Sequence, residues 1–190
     1  MKKFLILLLV LVSASFANAQ KVGIKTNLLY DATANANLGL EFGLAPKWTL
    51  DLSADYNAWP INGHKWKHWF VQPEARYWLC TRFQGHFFAL HAIGGQFNFG
   101  NLKHGFMFLG SNFKNLADHR YQGWGAGGGI AYGYAWALAK HWNIEAEIGL
   151  GAIYAKYKEF DCESCSRQTG KGHHVYYGPT KLAVNIEYLF

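Results

Sequence analysis

Cysteine is scarce in this 190-residue chain, and the three present, Cys80, Cys162 and Cys165, are an odd number, so no framework of disulfides holds the fold together. Beyond the N-terminal segment nothing approaches the run of about 18 apolar residues that a membrane-crossing helix needs, which excludes a helical membrane protein. A strong charge excess is also missing. The formal net charge is +6, part of it from Lys2 and Lys3, and this modest balance carries no nucleic-acid signature. The run "GWGAGGG" (Gly123 to Gly129) has no helix after it, and a phosphate-cradling loop requires a helix N-terminus. Small residues of a strand account for it.

What is present begins with an export signal. Lys2 and Lys3 precede an apolar run from Phe4 to Val12, and Ala17-Asn18-Ala19 supplies an A-x-A cleavage site. Residues 1–19 read as a secretory signal peptide, which leaves 20–190 as a single domain. Aromatic residues make up 17% of the chain and glycines number 21, a pairing that a soluble core seldom needs and that lipid-facing strands backed by small residues would use.

Eight segments read as strands: Lys21 to Tyr30, Asn37 to Leu44, Trp48 to Trp59, His68 to Cys80, His86 to Phe97, Tyr121 to Leu138, Trp142 to Tyr157 and Thr180 to Phe190. Most alternate strictly, as a strand with its two faces in different surroundings does. Phe87 to Leu90 break the alternation and predict a bulge, and Pro73 predicts another, because a closed sheet has no edge to host proline. Tight turns (Ala45 to Lys47, Thr81 to Gly85, Ala139 to His141) alternate with longer connections at 60–67, 98–120 and 158–178. This segregation by end, with both termini at the short-turn end, predicts an all-β fold: an eight-stranded antiparallel up-and-down transmembrane β-barrel in the outer membrane. A soluble sandwich or a ligand-holding calyx is the alternative.

The polar face decides between them. It carries Glu41, Asp51, Asp55, Glu74, Arg76, Glu145, Glu147, Lys181 and Glu187, with Lys25 and a ladder of glycines. Inside a narrow barrel such residues form a packed ionic network in the lumen, while the apolar face meets lipid. Trp48, Tyr77, Trp136, Trp142 and Tyr188 fall at the short-turn ends, and Tyr56, Trp59, Trp69 and Tyr154 at the long-connection ends, as two interfacial aromatic girdles. Phe190, after alternating Leu182, Val184, Ile186 and Tyr188, resembles the C-terminal signal by which the barrel-assembly machinery recognises its substrates.

The stretches "KTNLLYDATANANLGLEFGL" (Lys25 to Leu44), "WKHWFVQPEARYWL" (Trp66 to Leu79) and "YYGPTKLAVNIEYLF" (Tyr176 to Phe190) resemble the DUF3575 family of Bacteroidetes outer-membrane proteins. The resemblance implies a small outer-membrane barrel, sometimes tied to fimbria-like surface systems, with no established activity.

Several constellations could carry chemistry. Cys162 and Cys165 form C-x-x-C and predict a local disulfide, with a Cys2His2 metal site through His173 and His174 as the alternative. His91, His104, His119, His173 and His174, with Ser111 as the nearest loop serine, are the candidates for a lipid A-modifying enzyme, which needs Ser, His and an acid within hydrogen-bond reach, and solvated loop histidines are the plainer reading. Lys65, Lys67, Lys103, Lys114, Arg120, Arg167 and Lys171 lie on the expected outer side, where lipopolysaccharide phosphates offer anionic partners. The sequence therefore points to a non-enzymatic barrel with a structural or surface-display role, without cofactor or metal. Its partners would be outer-membrane lipid and a surface-assembly protein. A narrow pore is the runner-up.

Overall fold

Strands that alternate with a period of two need neighbours to pair their backbone groups, and the computed structural model shows how this chain supplies them. It describes residues 22–61, 64–100, 107–108, 111–112, 119–161 and 167–190. The long strands are β1 (Val22–Asn27), β2 (Ala36–Ala45), β3 (Trp48–Asn57), β4 (His64–Trp78), β5 (Gly85–Gly100), β6 (Arg120–Ala139), β7 (Trp142–Phe160) and β8 (Gln168–Leu189). Each pairs antiparallel with the next, and β8 returns to β1 through Gly23 opposite Leu189 and Asn27 opposite Asn185. The eight strands thus form one up-and-down sheet closed in a ring. The two-residue strand Pro60–Ile61 extends the β3–β4 connection, and Met107–Phe108 pairs with Ser111–Asn112 in a separate hairpin. Among the described residues no helix is long and apolar enough to cross a membrane. The signal segment 1–19 and the Cys162–Cys165 pair lie outside the described residues.

Four expectations about the strands need correction, the largest being that the last strand begins at Gln168 and not at Thr180, so that most of the connection expected at 158–178 is paired strand. The first strand stops at Asn27, not at Tyr30, because the Asn27 side chain accepts from the Leu29 amide at 3.1 Å and caps a one-turn helix, α1 (Leu28–Ala32). Phe87 to Leu90 form no bulge. β5 keeps an unbroken register against β6, with Phe87, Ala89 and His91 buried inside and Phe88 and Leu90 exposed outside. Pro73 sits in register opposite Leu52 without an inserted residue. Within the wall a bulge falls instead at Thr180, where Gly149 pairs with Lys181 but Leu150 pairs with Pro179, and the other register shifts lie near strand ends. That extra residue turns both Thr180 and Lys181 inward.

The glycine ladder is required by curvature. A Cβ at Gly127 would run into the Ala152 carbonyl, and one at Gly129 into that of Leu150, so the ring bends sharply between β6 and β7. Gly125 is different, since a Cβ there meets nothing closer than Ile153 Cγ2 at 3.4 Å, an ordinary contact.

The short-turn end is closed by apolar side chains. Trp78 and Phe87 are fully buried with ring centroids 4.6 Å apart, and the turn before β5 folds Phe83 inward against Trp78 at 6.2 Å. Phe83 takes a left-handed backbone with φ of 65°, held as Asn143 Nδ2 donates to its carbonyl at 2.8 Å.

Candidate functional site: an ionic interior and a graded outer wall

Inward positions on six of the strands bring charged side chains to the middle of the ring. Arg76, fully buried on β4, lies at the centre: Nη1 donates to Glu41 Oε2 at 2.6 Å and to Glu145 Oε2 at 3.1 Å. Its Nη2 donates to Glu147 Oε2 at 2.8 Å, and its Nε to Glu74 Oε1. Lys25 reaches Glu41 and lies 3.4 Å from Glu145, while Lys181 donates to Glu74 at 2.8 Å and lies 3.5 Å from Glu147. Asp51 Oδ2 faces all three cations, at 3.3 Å from Lys25, 3.4 Å from Arg76 and 3.6 Å from Lys181.

Glu41, Asp51, Glu74, Arg76, Glu145, Glu147 and Lys181 therefore share one network, as the alternation had placed them on one face. Asp55 and Glu187 are buried but stand apart from its cations. Asp55 bonds His68 Nε2 at 2.6 Å, and among the described residues Glu187 accepts from Asn143 Nδ2 alone, at 3.3 Å. Glu41, Glu145 and Glu187 bring carboxylate oxygens within 4.8 Å of one another. Lys25 and Arg76 already pair with Glu41 Oε2 and with Glu145, so two members of this trio are engaged in ion pairs.

Sequence reasoning missed the neutral partners that complete this interior. Gln72 donates to the Thr180 carbonyl at 3.2 Å and Asn185 to Glu145 at 3.2 Å. Trp78 donates to Thr49 at 2.9 Å. Their parity marks them as inward, yet amides and hydroxyls attract no notice without a charge. Above the network, Tyr30 of α1 packs edge-on against Phe70 at 5.8 Å. Burial, and then the Asp55 carboxylate, push its phenol up to about 12, so it remains a neutral hydroxyl.

Catalytic geometry is partial at best. His91 Nε2 lies 2.8 Å from Thr180 Oγ1, but the nearest acid, Glu74 Oε2, is 3.9 Å from its Nδ1 and is held by Lys181. His119 faces Glu159 at 3.8 Å, and His173 stacks on Tyr154 at 5.9 Å on the outer wall. His104 lies outside the described residues, and His174 lies on β8. No nucleophile, base and acid converge among the described residues.

The outer wall is the inverse of the interior. Ile130, Leu90 and Leu150 are 69%, 66% and 57% exposed. Along five adjacent strands the outward residues follow one gradient. Ala75, Leu90, Ile130 and Leu150 share a lateral row, and further toward the long connections Val71, Gly94, Ala126, Tyr154 and Val175 share another. Next come Trp69, Gln96, Trp124, Lys156 and His173, and then Lys67, Asn98, Gln122, Lys158 and Lys171. Trp48 pairs with Tyr77 at 5.1 Å, and Tyr188 with Trp142 and Phe190 at 5.0 Å, at the short-turn end, where Trp136 also lies exposed. Tyr56 meets Trp59 at 6.3 Å at the other end, where Trp69 lies on the outer wall. Of the basic residues expected there, Lys67, Arg167 and Lys171 are exposed, and Arg120 stacks over Phe160 at 4.0 Å. Lys103, Lys114 and the Lys65 side chain lie outside the described residues.

No curated protein and no solved structure matches this chain. The profile of the family described as "Protein of unknown function (DUF3575)" matches residues 4–190, essentially the whole sequence, and the chain belongs to that family.

Proposed function

We propose that this chain is exported by its N-terminal signal and folds as an eight-stranded β-barrel in the outer membrane, where it acts without catalysis as an anchor and display scaffold. The observation that carries this reading is the inversion of polarity. Buried Arg76, Lys25, Lys181 and their carboxylates fill the interior, while Leu90, Ile130 and Leu150 cover the outside. In water such an outer face would be a large exposed apolar patch of the kind that drives association; against hydrocarbon it is the favourable surface.

The gradient from aliphatic to aromatic to basic residues supports an orientation with the long connections outward. In that orientation Lys67, Lys156, Lys158 and Lys171 meet the phosphates of lipopolysaccharide, and the aromatic pairs at both ends sit at the two interfaces. Phe190, paired with Tyr188 at the short-turn end, is the element offered to the barrel-assembly machinery. The extensions above β4 to β8 suit a surface-assembly partner of the fimbria-like type. A pore is disfavoured by the ionic network and by Trp78, Phe83 and Phe87, which fill the interior from its middle to its short-turn end.

The test is fractionation and conductance. The processed chain should stay in outer-membrane vesicles through carbonate extraction, migrate faster on gels when unheated than when boiled, and show no discrete steps in planar bilayers. Release as a soluble protein without detergent would overturn the membrane reading; steady unitary currents would overturn the scaffold in favour of a pore.

A further inference from the structure

The ring is unequal in height, and its closing seam is short. β1 has 6 residues and β8 has 22, and the two pair only over Asn185 to Leu189. At Asn27 the chain leaves the wall. Its side chain takes over the edge of β8, with Nδ2 donating to the Leu182 carbonyl at 3.1 Å and Oδ1 accepting from the Val184 amide at 3.2 Å. From Lys181 back to Gln168, β8 has no strand on that side among the described residues. Pro179, lacking an N–H, sits where an edge tolerates it.

Behind this seam lies a cavity of about 640 Å³. Its inner walls are aromatic and aliphatic: Tyr30, Phe70, Ile93, Phe97, Phe99 and Ile153. It also reaches Leu29 of α1 and Leu182 of β8, both exposed beside the seam. Small residues on the facing wall, Gly125 and Ala155, leave the space open. The volume is that of a small-molecule pocket, which spans about 300–1,000 Å³.

The polar groups at its base are already matched. Lys181 has Asp51, Glu74 and Glu147 within 3.6 Å, and His68 is engaged through both ring nitrogens, by the Trp66 carbonyl at 3.2 Å and by Asp55 at 2.6 Å. The Thr180 hydroxyl is held by His91. A charged ligand would therefore find no free counter-charge among the described residues, whereas an apolar chain leaves these pairs intact.

We infer that this cavity holds an acyl chain of a membrane amphiphile, which enters sideways through the seam between α1 and β8 from the lipid phase. The inference rests on the outer-membrane reading above and adds to it an occupant. The chain lies against Phe70, Phe97 and Ile153, and its head group stays outside, at the level of Thr33 and Asn35 near the long connections.

The protein in lipid nanodiscs, supplied with palmitic acid bearing a terminal diazirine and irradiated, tests this by peptide mapping of the adducts. Adducts are expected on cavity residues Ile93, Phe97 and Ile153 as well as on outer-wall residues Leu90 and Ile148. The cavity-filling variants Gly125→Leu and Ala155→Phe, made separately so that either can stand if the other misfolds, should reduce the cavity adducts at least tenfold and leave the outer-wall adducts unchanged. Adducts confined to the outer wall, or cavity adducts that persist in both filled variants, would overturn the inference while leaving the membrane reading intact. Absence of adducts at both places would overturn the membrane reading itself.

Discussion

Among single residues Arg76 has the largest consequence, because its guanidinium lies within salt-bridge distance of Glu41, Asp51, Glu74, Glu145 and Glu147. Removing one partner of a buried ion pair costs about 3–5 kcal/mol, since the other charge is left uncompensated. Arg76→Met should therefore lower unfolding stability, measured by urea titration in lipid vesicles, by at least that amount. Glu187→Gln should behave in the opposite sense. Among the described residues Glu187 has no cation partner and faces the carboxylates of Glu41 and Glu145, so stability should stay within about 0.5 kcal/mol of the parent or rise. A loss comparable to that of Arg76→Met would show that Glu187 belongs to the network after all. Parity alone separates inward from outward residues, which is why the charged interior was legible in the sequence. It cannot show which inward acid finds a cation, and Asp55 and Glu187 are the two that do not join.

At the scale of elements, alternation located all eight strands, but their ends and irregularities came from interactions that alternation does not encode. Asn27 ends β1 by capping α1, a choice settled by one side-chain oxygen. The Phe87-Phe88 pair looks like broken alternation only if every aromatic belongs outside. Phe87 points in because Trp78 and Phe83 make the short-turn end of the interior apolar. The Thr180 bulge gives no pattern break, since Thr180 and Lys181 are both polar. The glycines of β6 and β7 are legible as small residues but not as curvature, which depends on how closely the two backbones approach. That approach can be tested. Gly129→Val should abolish the fast-migrating folded form on unheated gels, because its Cβ would meet the Leu150 carbonyl, while Gly125→Ala should fold with a change under about 1 kcal/mol. Equal tolerance at both positions would mean that β6 and β7 are not so tightly curved. Asn27→Ala removes a helix cap and two bonds to the β8 edge, and should cost about 1–2 kcal/mol in the same vesicle titration.

For the whole molecule, the sequence carried the ring and its two faces, because both follow from a period of two and from loop lengths. It did not carry the difference in height between the β1–β3 wall and the β4–β8 wall, because pairing stops where side chains such as Asn27 intervene and not where alternation fades. The height difference matters for the membrane reading, since the outward gradient from Ile130 and Leu150 to Lys158 and Lys171 lies on the tall wall. If that gradient is a lipid interface, the cost of a charge must depend on its position along one strand. Arginine on the lipid face of a barrel costs about 2–4 kcal/mol at mid-membrane and about 0–1 near the interface. Ile130→Arg and Leu150→Arg should therefore destabilise the vesicle-embedded protein by about 2–4 kcal/mol, while Gln122→Arg on β6 and Lys158→Arg on β7 should be nearly neutral. A water-exposed wall has no reason to rank these positions, because a surface arginine is cheap anywhere on it. A flat response along β6 and β7 would thus count against lipid contact even if the ring and its ionic interior were as described. A graded response would place the hydrocarbon boundary between Ile130 and Gln122, at the row that contains Trp124.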